Sequence, residues 1–377
     1  MKELEHILRL WSHVEAAGES AVLATVVWTR GSSYRSPGAH LLVASAGRRA
    51  GSVSGGCLED DLMKKAWWFT EQGPAIRRYD TTAEGEISTG AYGLGCNGTI
   101  DVLLERMMPD KASFLDLVRQ VRAQRRPAAI ARLIEPRDRA GQNLTVDLNG
   151  SVSHNLPDSE SAAMLEEQAR EAIAEAQSRH VSLDAQRVFI ETLIPAVRLV
   201  VFGAGDDAVP LTEIAKLLGW QVWVLDGRAH YVMSGKVPLA DAVRVRRPGD
   251  AAAAMDPWSA AVIMNHSYSQ DLEVLRELSS TRVQYLGVLG PRKRTIQLLA
   301  DAGLDGGNLV PELHSPMGLD IGAEGPEQVA LAVAAEIQAA LHARNGGPLR
   351  EHAGPIHARD LNAAGSPQGW IHSIACA

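Results

Sequence analysis

At 377 residues the chain exceeds one ordinary domain, and at roughly 150 residues per domain it reads as two or three. Apolar residues at 46% and charged residues at 22% are globular values and argue against a largely disordered chain. With 37 basic against 45 acidic residues the net charge is −8, so neither general nucleic-acid binding nor adsorption to an anionic membrane through bulk charge is expected.

In chain order, Leu4, Ile7, Leu8, Trp11 and Val14 recur at helical spacing and predict an amphipathic helix that Gly18 stops. Residues 21–29, AVLATVVWT, are rich in β-branched side chains and predict a buried strand. A turn-rich loop with Gly31, Ser32, Ser33 and Pro37-Gly38 leads to a second strand at 39–44. GSVSGGCLEDDL, residues 51–62, is a glycine-rich loop entering a helix that reaches about residue 71. A short strand at 76–79, a second glycine-rich loop GAYGLGCNG at 90–98 and a strand at 99–105 follow. Between 111 and 195 the pattern is less regular: a helix at 113–122, strands at 128–134 and 144–147, a helix at 161–177 and a strand at 188–192. A proline turn at 194–196 marks a boundary.

From residue 198 buried strands alternate with helices. LVVFGAG at 199–205 enters a helix to 218, and strands are expected at 221–225, 261–264 and 284–289. Helices are expected at 270–278 and 294–301, and Pro326 opens a last helix to 342. Such alternation means βα units around a parallel sheet. The fold class read from this is α/β: an α+β domain over 1–195, with its cysteine-bearing glycine loops in 1–110 and a less patterned part at 111–195, then a Rossmann-like domain over 196–345. The Gly-, Pro- and His-rich segment 346–377 reads as a tail.

Three cysteines, Cys57, Cys96 and Cys376, cannot form a disulfide framework and fit a reducing cytoplasm. The first ten residues, MKELEHILRL, lack the apolar core of a signal peptide, and no run approaches the roughly 18 apolar residues of a membrane span. The expected location is cytoplasmic.

Gly203-Ala204-Gly205-Asp206-Asp207-Ala208 is a G-x-G-x-x-A turn between a strand and a helix, and Asp226 ends the next strand, 21 residues after Gly205. In a dinucleotide fold the glycines admit pyrophosphate to the helix N-terminus and the acid accepts from ribose hydroxyls. Asp206 and Asp207 place negative charge where that phosphate would sit, so NAD(P) is not favoured. Asn265, His266 and Asp271, and then Gly290 with Arg292, Lys293 and Arg294, follow strand ends on the edge where open α/β sheets bind ligands. Arg292 and Arg294 suit bidentate phosphate contacts; the alternative is a structural histidine beside a solvated helix start. In the first loop, Gly55 and Gly56 suit an anion-binding nest with Cys57 near a helix start, where a thiolate is favoured, although Glu59 and Asp60 oppose it. Cys96, flanked by Gly95, Asn97 and Gly98, is the second thiol on a glycine turn. Two cysteines without paired histidines do not make a four-ligand zinc site.

The two cysteine loops, GSVSGGCLEDDL and GLGCNGTIDVLLER, together with TRGSSYRSPGAHLLV (29–43), VVFGAGDDAVPL (200–211), VLDGRAHY (224–231), MNHSYSQD (264–271), YLGVLGPRKRT (285–295) and SPMGLDIGAEGPEQVALAVAAEI (315–337), resemble the XdhC/CoxI family of accessory factors for molybdenum hydroxylases. The resemblance spans both halves. It implies an N-terminal XdhC/CoxI domain, a C-terminal Rossmann domain, a homodimer, and a maturation chaperone rather than a turnover enzyme. Such a protein binds molybdenum cofactor (molybdopterin) transiently, promotes its sulfuration and inserts it into a xanthine or carbon monoxide dehydrogenase. The implied partners are the apo-hydroxylase, a cysteine desulfurase and a molybdenum cofactor nucleotidyltransferase. The expected cofactor-binding residues are Gly55, Gly56, Cys57, Gly95, Cys96, Gly98, Gly203, Gly205, Asp226, His266, Arg292 and Arg294, with Cys57 and Cys96 facing molybdenum or its sulfur. Some relatives carry GAGH where this chain has Gly203-Ala204-Gly205-Asp206, so no role is expected of a histidine there. The competing readings are an NAD(P)-dependent oxidoreductase that uses the Rossmann domain and a non-catalytic dimeric scaffold.

Overall fold

Helix α1 (Lys2–Ala16) buries Ile7, Leu8, Trp11 and Val14 along one stripe, as their spacing requires. It belongs to the first of two compact units in a computed structural model of the chain, the division along the sequence falling between Pro195 and Ala196. The structure describes residues 2–31, 33–56, 58–80, 98–111, 113–183, 186–304 and 312–351.

In the first unit, β1 (Ala21–Gly31), β2 (His40–Ala44), β3 (Arg49–Gly51), β4 (Ala75–Asp80) and β5 (Gly98–Met107) form an antiparallel sheet in the order β3-β2-β1-β5-β4. The unbroken apolar run of β1 has a direct cause, since the sheet is covered on both faces. Ala21 and Leu23 pack with α1 and with α3 (Phe114–Gln124). Val22, Ala24 and Val26 pack with Leu62 and Ala66 of α2 (Glu59–Phe69). A second antiparallel sheet comprises β6 (Ala128–Glu135), β7 (Asn143–Val146), β8 (Val152–His154), β9 (Arg179–Leu183) and β10 (Gln186–Leu193), in the order β8-β7-β6-β10-β9. Helix α4 (Ser159–Ala174) covers one of its faces through Leu165, Ala169 and Ala172. This helix starts two residues before the position its sequence pattern predicts, because Asp158 caps it by accepting from the Ser161 N–H at 2.7 Å. It also stops earlier, before Ala176 turns to a φ of 52°.

The two sheets are tied by a buried polar cluster. His40 Nε2 lies 2.7 Å from Glu191 Oε1 and its Nδ1 3.0 Å from the Thr25 hydroxyl, while Arg132 Nη1 donates to Glu191 Oε2 at 2.5 Å. Burial raises the proton affinity of Glu191, but His40 and Arg132 more than offset it and hold the carboxyl below its ordinary range.

The second unit contains β11 (Arg198–Phe202), β12 (Gln221–Asp226), β13 (Ala242–Val245), β14 (Ser259–Ile263), β15 (Tyr285–Val288) and β16 (Leu313–His314). All neighbours are parallel, in the order β13-β12-β11-β14-β15-β16. Counted from β11 this is the 3-2-1-4-5-6 order of dinucleotide-binding folds, with the switch point between β11 and β14. Helices α5 (Ala208–Leu217) and α10 (Pro326–Ala340) pack on one face. On the other lie α7 (Asp250–Ala253), α8 (Tyr268–Leu278) and α9 (Arg292–Ala302), while the short α6 (Ala229–Met233) follows β12. The edge strands β13 and β16 escape the sequence pattern because they are short and only partly covered. No helix among the described residues is long and apolar enough to cross a membrane.

Candidate functional site

The glycine turn before α2 is built, but it is built around the chain's own carboxylate. Glu59, the first residue of α2, is 1% exposed and points back into the turn. Its Oε1 accepts from the Ser52 hydroxyl at 2.7 Å and from the N–H groups of Val53 and Ser54 at 2.9 Å each. Its Oε2 accepts from the Gly56 N–H at 2.9 Å and from the Ser54 hydroxyl. Burial alone raises the pKa of Glu59, but the Ser54 and Ser52 hydroxyls and the Ser54 N–H outweigh that and bring it to about 2. Gly55 and Gly56 both have positive φ, yet their N–H groups are already matched within the turn, Gly56 by Glu59 and Gly55 by the Ser52 hydroxyl at 3.0 Å. In sequence Glu59 reads only as a charge opposing a thiolate at Cys57. Its spacing of three residues from Gly56 is the available signal of the other role, for that is the reach of a capping box.

Of the other residues singled out in this half, Gly98 opens β5 opposite Gly31. Cys57, Gly95, Cys96 and Cys376 lie outside the described residues. Among the described residues no group of three or more His, Cys, Asp or Glu side chains is placed to hold a metal ion.

A cleft that sequence reasoning misses adjoins the turn. Its volume is about 840 Å³, and its walls include His6, Arg9 and His13 of α1, Arg49 of β3, Tyr34 and Gly55. These positions converge only because β2 and β3 carry the loop residues back against α1, which no local pattern reveals.

In the second unit the G-x-G-x-x-A turn lies at the switch point. Gly203, at φ 123°, passes so close to the strand-end loop after β14 that a Cβ there would stand 2.4 Å from the Met264 carbonyl oxygen. Gly205 has open space in the corresponding direction. Asp226 does end β12, but its carboxylate is engaged. It accepts from the Ala204 N–H at 2.9 Å, the Arg228 N–H at 2.8 Å, Arg228 Nε at 2.9 Å and Arg228 Nη2 at 2.8 Å. Burial raises its pKa; the hydrogen bonds from Arg228 and Ala204 prevail and leave it below the ordinary aspartate range. Arg228 is further held by Tyr231, its guanidinium carbon 4.0 Å from the ring centroid. A ribose hydroxyl reaches Asp226 only by displacing this clamp.

The other strand ends are also internally paired. His266, at a φ of 54°, sets Nε2 2.9 Å from Asp207 Oδ2, and Lys236 donates to Asp206 at 2.6 Å. Asp271 is buried; it accepts from Asn265 Nδ2 at 2.9 Å and from Arg294 Nη2 at 2.6 Å. Arg294 is therefore committed to a carboxylate, while Arg292 is exposed on the first turn of α9. A further cluster has no signature in the sequence: Glu336 accepts from Tyr285 Oη at 2.5 Å and from the Gly318 N–H at 2.7 Å. Burial and this carboxylate together raise the pKa of Tyr285, so the phenol stays protonated.

Known proteins match the chain along most of its length. Residues 199–337 match the model of the XdhC Rossmann domain, and residues 14–80 match that of the XdhC and CoxI family. The chain is 35% identical over 322 residues to a probable xanthine dehydrogenase subunit of Bacillus subtilis (strain 168), covering 85% of this chain and 92% of that protein. It is 25% identical over 334 residues to the molybdenum cofactor insertion chaperone PaoD of Escherichia coli (strain K12), covering 88% of this chain and 86% of the chaperone. A crystal structure described as a xanthine dehydrogenase from Bacillus halodurans superposes with a TM-score of 0.73 at 29% identity, over 89% of this chain and 96% of that one.

Proposed function

The chain belongs to the XdhC and CoxI family, and we propose that it carries molybdenum cofactor as cargo, promotes its sulfuration and delivers it to an apo-hydroxylase of the xanthine or carbon monoxide dehydrogenase type. The observation that carries this reading is similarity along most of the chain to a protein named as a molybdenum cofactor insertion chaperone. The chemistry of the chain is compatible with that cargo. Molybdopterin presents a phosphate at one end and a soft, dithiolene-bound metal at the other, and the sequence offers cationic side chains for the first and the thiols of Cys57 and Cys96 for the second. The partner so implied is the apo-hydroxylase, with a cysteine desulfurase supplying the sulfur.

The strand order of the second unit favours a dinucleotide oxidoreductase as the second reading. The clamp of Arg228 on Asp226 and the acidic pair Asp206 and Asp207 at the helix start weigh against it.

Anaerobic purification with pterin and molybdenum quantified together tests the proposal. The expected result is near-equal pterin and molybdenum on the wild-type chain, with retention and client activation reduced in Cys57→Ala or Cys96→Ala at unchanged thermal stability. Equal retention and equal activation in both variants remove the thiols from the mechanism. Absence of pterin from the wild-type chain defeats the reading as a whole.

A further inference from the structure

Helix α1 divides its residues between two tasks. Ile7, Leu8, Trp11 and Val14 are buried in the core, whereas His6, Arg9 and His13 recur at three- and four-residue steps on the face that opens onto the 840 Å³ cleft. From the other wall comes Arg49 of β3, exposed like Arg9. Neither Arg9 nor Arg49 has an ion-pair partner among the described residues, in contrast to Arg35, which pairs with Glu3. Glu59 also lines the cleft, but its two oxygens are filled by the donors of the glycine turn. The Nδ1 of His13 lies 2.7 Å from the Arg9 carbonyl oxygen and so donates to it, which leaves Nε2 for a ligand.

Tyr34 supplies the second element. Its side chain is exposed, 70% of the residue being accessible, yet it is not loose. The ring leans on the backbone of Gly55, where a Cβ would stand 2.8 Å from two ring carbons. One aromatic face is thus backed by the turn and the other is open, the arrangement of a stacking platform.

We propose that this cleft binds a phosphate monoester carried on a planar heterocycle, with Arg9 and Arg49 holding the phosphate and the Tyr34 ring stacking on the heterocycle. Two guanidiniums in one concavity match the charge and fork geometry of a phosphate dianion. The volume lies within the range of about 300–1,000 Å³ typical of small-ligand sites, which favours a small molecule over an acidic protein surface. The identification of the heterocycle as a pterin rests on the cargo reading above; the phosphate and stacking roles do not.

Calorimetry on the full-length chain tests it, with the metal-free oxidised pterin phosphate derived from molybdenum cofactor, its dephosphorylated form, and the pair GMP and guanosine as probes. Removing the phosphate is expected to weaken binding by at least about tenfold. The Arg9→Gln/Arg49→Gln double variant is expected to lose about thirtyfold or more toward the phosphorylated probes at an unchanged unfolding midpoint. Tyr34→Leu is expected to weaken each phosphorylated probe and its dephosphorylated partner by a common factor. Equal affinity for phosphorylated and dephosphorylated probes overturns the proposal, as does wild-type affinity in the double variant. A double variant that binds the pterin phosphate normally but no longer binds the apo-hydroxylase makes the cleft a protein-docking surface and also overturns it. The cargo reading fails separately: a wild-type chain that purifies without pterin, yet binds GMP through Arg9 and Arg49, keeps the site and loses the cargo. Cofactor retained equally by wild type and double variant keeps the cargo and loses the site.

Discussion

Glu59→Gln is the sharpest test of how the glycine turn is held. Glutamine keeps the shape of the side chain but removes its charge, and it places an NH₂ group where either the Gly56 N–H and Ser54 hydroxyl, or the three donors on Oε1, now find an acceptor. The pKa interval from 4.5 down to about 2, at about 1.4 kcal/mol per unit, corresponds to about 3 kcal/mol at pH 7. Loss of charge-assisted bonds, at about 1.5–3 kcal/mol each, reaches the same size once part of the network is retained by the amide. For a unit of this length about 3 kcal/mol lowers the midpoint of thermal unfolding by roughly 6–12 °C. Because the folded-state pKa of Glu59 is depressed, its contribution is complete above 4.5 and disappears as the pH falls through about 2. The gap between wild type and variant is therefore expected to be widest at neutral pH and about half as large at pH 3. Calorimetric melts of both proteins from pH 3 to 8, with hydrogen exchange across residues 52–69 to assign the transition, provide the measurement. Coincident melting at pH 7, or a gap that does not narrow on acidification, refutes the account.

Gly203→Ala is expected to destabilise the second unit by about 3 kcal/mol or more, since its Cβ meets the Met264 carbonyl at 2.4 Å, while Gly205→Ala costs less than about 1 kcal/mol because its Cβ meets open space; denaturant titration of the pair separates a packing role from a merely permissive one. Arg132→Met leaves Glu191 buried beside a neutral thioether and is expected to cost about 3–5 kcal/mol in a urea melt, and a loss below about 1 kcal/mol denies the cluster its role in joining the two sheets of the first unit. Titration of the wild-type chain with NAD(H) is expected to give no saturable binding at micromolar concentration, because Arg228 occupies the acceptor oxygens of Asp226; micromolar affinity means that the clamp yields to ribose.

The parts of the fold legible in the sequence are those fixed by local spacing or by burial on two sides. The stripe on α1, the unbroken run of β1 and the βα alternation from Arg198 onward each follow from where apolar atoms must go. Short edge strands such as β8, β13 and β16 are not legible, since a strand paired on one side and half exposed needs no apolar pattern. Within the sites, residue types are easier to read than pairings. Asp226 is found from its distance to Gly205, but its partner Arg228, only two residues on, changes it from an open acceptor into a closed one. Glu59 reads as a repulsive charge, whereas the turn uses it as an acceptor. The cleft is not legible because Arg9 on α1, Tyr34 in the β1–β2 connection and Arg49 on β3 come together through tertiary packing and not through any repeat in sequence.

These pairings also decide where an anion can be held. A backbone nest filled by Glu59 offers few donors to a phosphate, and displacing that carboxylate forfeits about 3 kcal/mol before any ligand contact is made. Arg228 and Arg294 stand at strand ends where sheets of this order bind ligands, yet each is bonded to a buried aspartate, so recruiting either leaves Asp226 or Asp271 buried without its cation. Arg9 and Arg49 carry no such debt among the described residues. The glycine turn then acts on a ligand indirectly, through stiffness: Glu59 fixes the turn, Gly55 backs the Tyr34 ring, and the ring stands ready at the mouth of a cationic cleft. On this argument Glu59→Gln lowers affinity for the dephosphorylated probes by loosening the platform, and the loss is smaller for their phosphorylated partners because the substitution also removes a negative charge from the cleft wall.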